Sequence, residues 1–201
     1  MAADHSVRFF DAQFQQQARA GDFQLNPFEQ AALPYLRGRV LDLGCGMGNL
    51  AFAAAKRGRS VLALDASSAA IEHIRRRAAE EGLAVEGALA DLRDYRIAGE
   101  FDAIVCIGLL MFFDCPAAFR VLADIRAHVR KGGVAIVNVL IEGTTYMDMF
   151  DPAGHCLFAP DELEHRFADW EILAAERREF PAPGERVKAF STVIARRPEA
   201  A

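Results

Sequence analysis

The run Val40-Leu-Asp-Leu-Gly-Cys-Gly-Met-Gly-Asn49 constrains this chain more than any other stretch. It follows a short apolar run and opens an alanine-rich helical one. Gly44, Gly46 and Gly48 let the backbone turn sharply and let a ligand approach where a Cβ would collide. The spacing is G-x-G-x-G, whereas the dinucleotide fingerprint G-x-G-x-x-G needs a glycine where Asn49 stands. A pyrophosphate favours the positive end of a helix. Here an acid, Asp42, leads into the loop, and an acid suits a ligand with a cationic or hydroxyl-bearing end.

Around the loop, short apolar runs alternate with helical periodicity, which predicts a parallel α/β sheet. Residues 39–43, 60–64, 84–90, 101–107 and 134–141 read as strands. Residues 49–57, a segment from Ser67 or Ser68 to Glu81, and residues 116–129 read as helices. Gly58 and Gly82 stand where helix C-caps belong, and Lys131-Gly-Gly133 stops the third helix. Residues 142–160 carry scattered aromatics without a period and read as a long loop, of the kind that serves as a lid or binding loop. Pro160-Asp-Glu-Leu163 opens a short helix. Residues 170–178 and 187–196 are two strands joined through Pro181-Ala-Pro-Gly184, so the sheet ends in an antiparallel pair. The first 38 residues place Phe9, Phe10, Phe14, Phe23 and Phe28 on helical or turn-like segments.

The loop has company at the same sheet edge. Asp65 ends the second strand, where an acid accepts both ribose hydroxyls of an adenosine-bearing cofactor. Asp91 follows the third strand, where a carboxylate can accept from an adenine amine. Three acids thus end three successive strands at the carboxyl edge, where open α/β sheets bind ligands. The combination suits the amino-acid end of S-adenosylmethionine better than NAD. The plain alternative for Asp42 and Asp65 is helix capping.

These residues resemble a known family. Leu41-Asp-Leu-Gly-Cys-Gly-Met-Gly48, Val61-Leu-Ala-Leu-Asp-Ala-Ser67, Ala90-Asp-Leu92, Phe101-Asp-Ala-Ile-Val105 and Lys131-Gly-Gly133 resemble, in order, the motifs of class I S-adenosylmethionine-dependent methyltransferases. The resemblance implies a Rossmann-like, mostly parallel seven-stranded sheet of order 3-2-1-4-5-7-6, with strand 7 antiparallel and helices on both faces. It covers a cofactor-binding core over 39–197; the length of 201 residues suits one domain, in which residues 1–38 read as a helical cap and 142–160 as a substrate-side loop. The resemblance implies S-adenosyl-L-methionine as cofactor and S-adenosyl-L-homocysteine as product. Asp42 with the Gly44–Cys45–Gly46 backbone would hold the methionine end, Gly48 closes the loop, Asp65 would take the ribose, and Ala66, Ser67, Asp91 and Leu92 would frame the adenine. Cys106 and Ile107 would line the pocket near the methyl group. Leu157-Phe-Ala-Pro-Asp-Glu-Leu163, Phe167-Ala-Asp-Trp-Glu-Ile-Leu173 and Phe190-Ser-Thr-Val-Ile-Ala-Arg196 look most like the tellurite-resistance (TehB-type) and related small-molecule methyltransferases. The hairpin at 179–185 departs from that group in carrying no histidine, which argues against tellurite itself.

Methyl transfer from a sulfonium is an in-line displacement in which positioning supplies most of the catalysis. A soft or anionic acceptor needs no base, and an oxygen or nitrogen acceptor can require one. The substrate-side candidates are Phe10, Phe14, Met111, Tyr146 and His155, of which His155 and Tyr146 are the candidates for a catalytic role. Surface exposure of His155 and plain packing of Tyr146, Phe10 and Phe14 are the bland alternatives. The scattered histidines give no metal site. Basic residues number 23 and acidic ones 28, for a net charge of −5, which leaves no basic surface for nucleic acid or an anionic membrane. The longest apolar stretch, residues 103–113, falls far short of the ~20 residues a spanning helix needs. The start of the chain has no apolar signal region. Cys45, Cys106, Cys115 and Cys156 form no C-x-x-C pair and read as reduced thiols of a cytoplasmic protein. The expected acceptor is a small molecule: a chalcogen oxyanion, a thiol or a small metabolite. The rival readings are an NAD(P)-dependent oxidoreductase and a non-catalytic adenosyl-binding protein.

Overall fold

The computed structural model describes residues 5–21, 23–151 and 154–199. Five apolar runs form the parallel strands β1 (Arg39–Leu43), β2 (Ser60–Asp65), β3 (Val85–Leu89), β4 (Phe101–Ile107) and β5 (Val129–Leu140). A hairpin of β6 (Glu171–Ala182) and β7 (Arg186–Arg196) completes the sheet. Its order is β3-β2-β1-β4-β5-β7-β6, with β7 antiparallel to both neighbours, as the family resemblance implies. The helices are α1 (His5–Ala20), α2 (Pro27–Ala32), α3 (Asn49–Ala55), α4 (Ser68–Glu81), α5 (Cys115–His128) and α6 (Glu162–Arg166).

The central strand β4 is buried because helices cover both faces of the sheet. Its Ile104 and Cys106 pack with Leu122 and Ile125 of α5, while Ala103 and Val105 pack with Leu50, Phe52, Ile71 and Ile74 of α3 and α4. Capping sets the helix ends. Ser67 Oγ accepts the Ala70 N–H at the start of α4, Gly82 closes it in the left-handed region at φ 62°, and Asp114 Oδ1 accepts the Ala117 N–H of α5 at 2.7 Å.

Two boundaries differ from expectation. Strand β5 begins at Val129 rather than at 134, because Gly132 (φ 71°) and a register shift opposite residues 101–103 let Val129 pair with Phe101. The hairpin strands also run further, leaving a tight turn at 183–185 with Gly184 and Glu185 at positive φ. Since Leu140, the last residue of β5, pairs with Phe190, the hairpin tip stands beyond the carboxyl edge of the sheet.

The reading of four reduced thiols is overturned. Cys115, at the start of α5, is disulfide-bonded to Cys156, while Cys45 and Cys106 are free and buried. Spacing could not reveal the pair, whose members lie 41 residues apart and meet only because the 142–160 segment folds back on α5. Cysteine usage therefore no longer argues for a reducing compartment. The segment is also stitched down: Cys156 N–H donates to Met111 O, Phe158 N–H to Leu140 O, and Tyr146 N–H to Val187 O. No helix among the described residues is long and apolar enough to cross a membrane.

A cross-link closing a loop of this length restricts the unfolded chain by roughly 2–4 kcal/mol. Cys156→Ser is expected to lower stability by about that amount in urea unfolding of oxidised protein. An unchanged midpoint would contradict the cross-link.

Candidate functional site

The carboxyl ends of β1, β2, β4 and β5 open into a cleft of about 1130 Å³. The glycine loop forms its floor. Gly44 and Gly46 adopt φ of 73° and 51°, and a Cβ on Gly46 would stand 3.1 Å from the Phe14 ring. The Gly44 and Cys45 N–H groups both donate to Leu64 O, at 2.8 and 3.1 Å, which hangs the loop from the end of β2. Asp65 completes the attachment. Its Oδ2 accepts the Gly46 N–H and its Oδ1 the Ser67 N–H, each at 2.9 Å. Asp65 is thus a structural clamp, yet an ionised carboxylate has about four acceptor sites, so the clamp does not exhaust it.

Acidity is concentrated at this end. Asp42, on β1, is almost wholly buried, and burial first, then the charges of Glu29 and Asp65, push its carboxyl up to about 8. Burial likewise raises Asp65 and Glu29 above the usual carboxylate range. Glu29 was not anticipated from the sequence. It is held by a capping box at the start of α2: Asn26 Oδ1 accepts the Phe28 and Glu29 N–H groups, and Glu29 Oε2 accepts the Asn26 N–H at 2.8 Å. The signal was present as Asn-Pro-Phe-Glu. Among the described residues, no basic side chain forms a salt bridge with Glu29, Asp42 or Asp65. A cluster of carboxyls without countercharge, beside a floor that tolerates no Cβ, fits a ligand bearing an ammonium or sulfonium.

The structure gathers most of the sequence-derived candidates on this cleft. Asp42, Gly44, Cys45, Gly46, Asp65, Ala66, Ser67, Asp91, Leu92 and Ile107 line it, as do Phe10, Phe14 and Met111. Asp91 is exposed and accepts the Arg93 N–H at 3.1 Å. Phe10 lies 6.0 Å from Phe14, ring to ring, and edge-on to Phe112 at 5.1 Å, which brings α1 over the glycine loop. Four candidates are not brought to the cleft lining. Gly48 is the N-cap of α3, backed by Ile74. Cys106 faces the α5 side of the sheet. Tyr146 is held between Arg186 and Lys188, each 4.7 Å from its ring centroid. His155 is exposed and stacks on Phe150 at 5.0 Å.

The opposite end of the cleft is apolar and aromatic. Phe28 packs 4.9 Å from Phe190 and 5.6 Å from Phe180, and Met111, Phe112, Leu140 and Met149 continue the wall. Asn138 and Lys188 are its polar members. Sequence reading missed all of these but Met111. Among the described residues, no group of histidine, cysteine, aspartate and glutamate is arranged to hold a metal ion.

The fold and the cleft are those of an S-adenosylmethionine-binding Rossmann-like domain, and a family model described as a methyltransferase domain matches residues 40–133. The chain is similar to class I S-adenosylmethionine-dependent methyltransferases, TehB among them. It is 27% identical over 166 residues to the probable S-adenosyl-L-methionine-dependent methyltransferase TehB of Haemophilus influenzae, covering 79% of this chain and 57% of that one. The crystal structure of that organism's TehB superposes with a TM-score of 0.76 at 22% identity, over 90% of this chain and 65% of that one. A protein named hemagglutinin 1, from Eikenella corrodens, is 30% identical over 170 residues, covering 80% of this chain and 55% of its own. The N-methyltransferase NodS of Bradyrhizobium japonicum, crystallised with S-adenosyl-L-homocysteine, shares the fold with a TM-score of 0.69 at 17% identity, over 98% of this chain and all of its own. The chain spans a little over half the length of the curated relatives it matches.

The raised Asp42 carboxyl has a consequence for stability. In the ligand-free fold it keeps a proton that the unfolded chain, near 3.8, gives up. That contribution is fully present below about pH 4 and is lost as pH rises toward about 8. Asp42→Asn should flatten the fall in stability between roughly pH 5 and 8 in urea unfolding of ligand-free protein. A slope untouched by the substitution would mean that Asp42 is ionised in the fold.

Proposed function

We propose that this chain is an S-adenosylmethionine-dependent methyltransferase acting on a small-molecule acceptor. The observation that carries the reading is the division of one cleft into an acidic end, whose Glu29, Asp42 and Asp65 form no salt bridge among the described residues, and an aromatic end. When bound, S-adenosylmethionine supplies an electrophilic methyl group on a positively charged sulfur. Asp42, with Glu29 behind it, receives the ammonium of the methionine part, and the glycine loop, whose Gly44, Cys45 and Gly46 N–H groups are bound to Leu64 and Asp65, allows the close approach that a Cβ would block. Asp65 takes the ribose hydroxyls with the acceptor sites its clamp leaves open. Ala66, Asp91 and Leu92 frame the adenine. Phe10 and Phe14 lie across this end, exclude water and turn ring surface toward the cation.

The acceptor end narrows the choice among a chalcogen oxyanion, a thiol and a small metabolite. An oxyanion calls for several convergent cations. Arg186 is engaged by Asp148 through two hydrogen bonds, at 2.6 and 2.9 Å, and Lys188 lies against Tyr146. The remaining wall is apolar, which supports a small apolar metabolite. Neither Tyr146 nor His155 lines the cleft, so the reading rests on positioning rather than on a protein base. Nucleic acid and membranes have no part in it.

Isothermal titration with S-adenosyl-L-homocysteine, with NADH as control, tests the cofactor. Binding of NADH without the nucleoside would favour the oxidoreductase. Transfer of labelled methyl to a panel of phenols, thiols, amines, selenite and tellurite tests catalysis, and no product from any would favour a binding protein. Asp65→Ala removes the loop clamp and the ribose acceptor together. It should weaken S-adenosyl-L-homocysteine binding by about 1.5–3 kcal/mol, the range for hydrogen bonds to a charged group. An unchanged dissociation constant would remove Asp65 from the site.

A further inference from the structure

Strand β5 breaks its own pattern at one position. Val134, Ile136, Asn138 and Leu140 alternate onto one face of the sheet, and Asn138 is fully buried among apolar neighbours. Opposite it in register stand Ile107 of β4 and Thr192 of β7. Asn138 Nδ2 donates to Thr192 Oγ1 at 2.8 Å and lies 3.5 Å from the Ser191 carbonyl oxygen. The second neighbour fixes which way the amide faces, since a flipped amide would set oxygen against oxygen. Asn138 Oδ1 is left buried without a hydrogen-bond partner. Buried acceptors are ordinarily satisfied, and an apolar residue of similar size would fill this place without that penalty. The residue lines the cleft at its aromatic end, between Ile107 and Leu140. The orphan oxygen thus belongs to a residue that is both buried and part of the cleft lining.

Its chemistry is selective. An amide oxygen accepts hydrogen bonds and gives none. It pairs with a neutral hydroxyl and repels a thiolate or an oxyanion, whose lone pairs would meet its own. The walls on either side are rings: Phe112 lies 5.2 Å from Phe150, and Phe190 lies 5.8 Å from Phe180. Such walls suit a flat apolar body. We propose that Asn138 is an acceptor-binding residue whose amide oxygen accepts a hydrogen bond from the hydroxyl of a neutral aromatic alcohol, the methyl acceptor being of the phenol class; the oxygen–methyl bond forms as the sulfur–methyl bond breaks, and the hydroxyl proton leaves to solvent. Thr192 is the positioning residue that holds the amide through its nitrogen and leaves the oxygen unpaired. The proposal rests on the methyltransferase reading and deepens it.

The test compares 2-naphthol with 2-methylnaphthalene, which replaces the hydroxyl by a methyl group, in titrations of protein saturated with S-adenosyl-L-homocysteine. The wild type should prefer 2-naphthol by roughly tenfold or more, because the methyl analogue leaves the amide oxygen unpaired. Asn138→Leu should abolish that preference while S-adenosyl-L-homocysteine binds as before. Equal binding of the two probes by the wild type, binding of neither, or an undiminished preference in N138L overturns the proposal and leaves the cofactor reading standing. Failure of the wild type to bind S-adenosyl-L-homocysteine overturns both. Should N138L not bind S-adenosyl-L-homocysteine, Thr192→Val takes its place, because it frees the amide to turn, and an undiminished preference there is equally fatal.

Discussion

The cleft depends on one carboxylate. Asp65 ends β2, accepts the Gly46 N–H with one oxygen and the Ser67 N–H with the other, and so fixes the glycine loop and the entry to α4 in a single clamp. The Leu64 carbonyl adds the Gly44 and Cys45 N–H groups to the same strand end. With the loop held there, Gly46 presents bare backbone to the ring of Phe14, and α1 can settle across it. The distinction between a capping aspartate and a ligand-binding one dissolves at this residue. The clamp leaves acceptor capacity on a residue that also lines the cleft.

What was legible in the sequence follows from how local the cause is. The glycine loop, the acids closing β1, β2 and β3, and the alternation of strands and helices rest on spacing and periodicity within a few dozen residues, while the strand order came from the family resemblance those motifs carry. Contacts that depend on a chain return were not legible. Cys115 and Cys156 meet only after the 142–160 segment folds back. The same return explains where two candidate catalytic residues lie. Pairing of Tyr146 N–H with Val187 O holds its ring beside Arg186 and Lys188, while the cross-link anchors Cys156 and leaves the adjacent His155 exposed on Phe150. Two further residues had readable signals that carried no meaning without the fold. Asn138 interrupts the apolar run of β5, and Glu29 completes a capping box. Only the sheet edge gives either a role.

The two ends of the chain build the aromatic wall together. Phe28, from the segment ahead of β1, packs against Phe180 and Phe190 of the terminal hairpin. Phe10 of α1 meets Phe112, which follows β4. The wall is thus assembled from parts that lie outside the alternating strands and helices of the core. The glycine loop and the strand-end acids come from that core. A shared core can therefore keep its cofactor site while the flanking segments set the shape of the acceptor site.

The polar atoms of the cleft favour one kind of guest. Glu29, Asp42, Asp65 and Asp91 accept hydrogen bonds or attract positive charge, and the buried Asn138 oxygen accepts as well. Lys188 is turned onto Tyr146. Arg93, paired with Asp91, and Lys188 are the basic residues that line the cleft among those described. A guest that brings a cation to the acids and a hydrogen to the amide meets a complement at both ends. The buried carboxyl of Asp42 sharpens this, since it stays protonated in the empty fold and gains from ionising only when a positive charge arrives beside it. The cost of burying these groups is thus recovered in selectivity for guests that donate hydrogen bonds or carry positive charge.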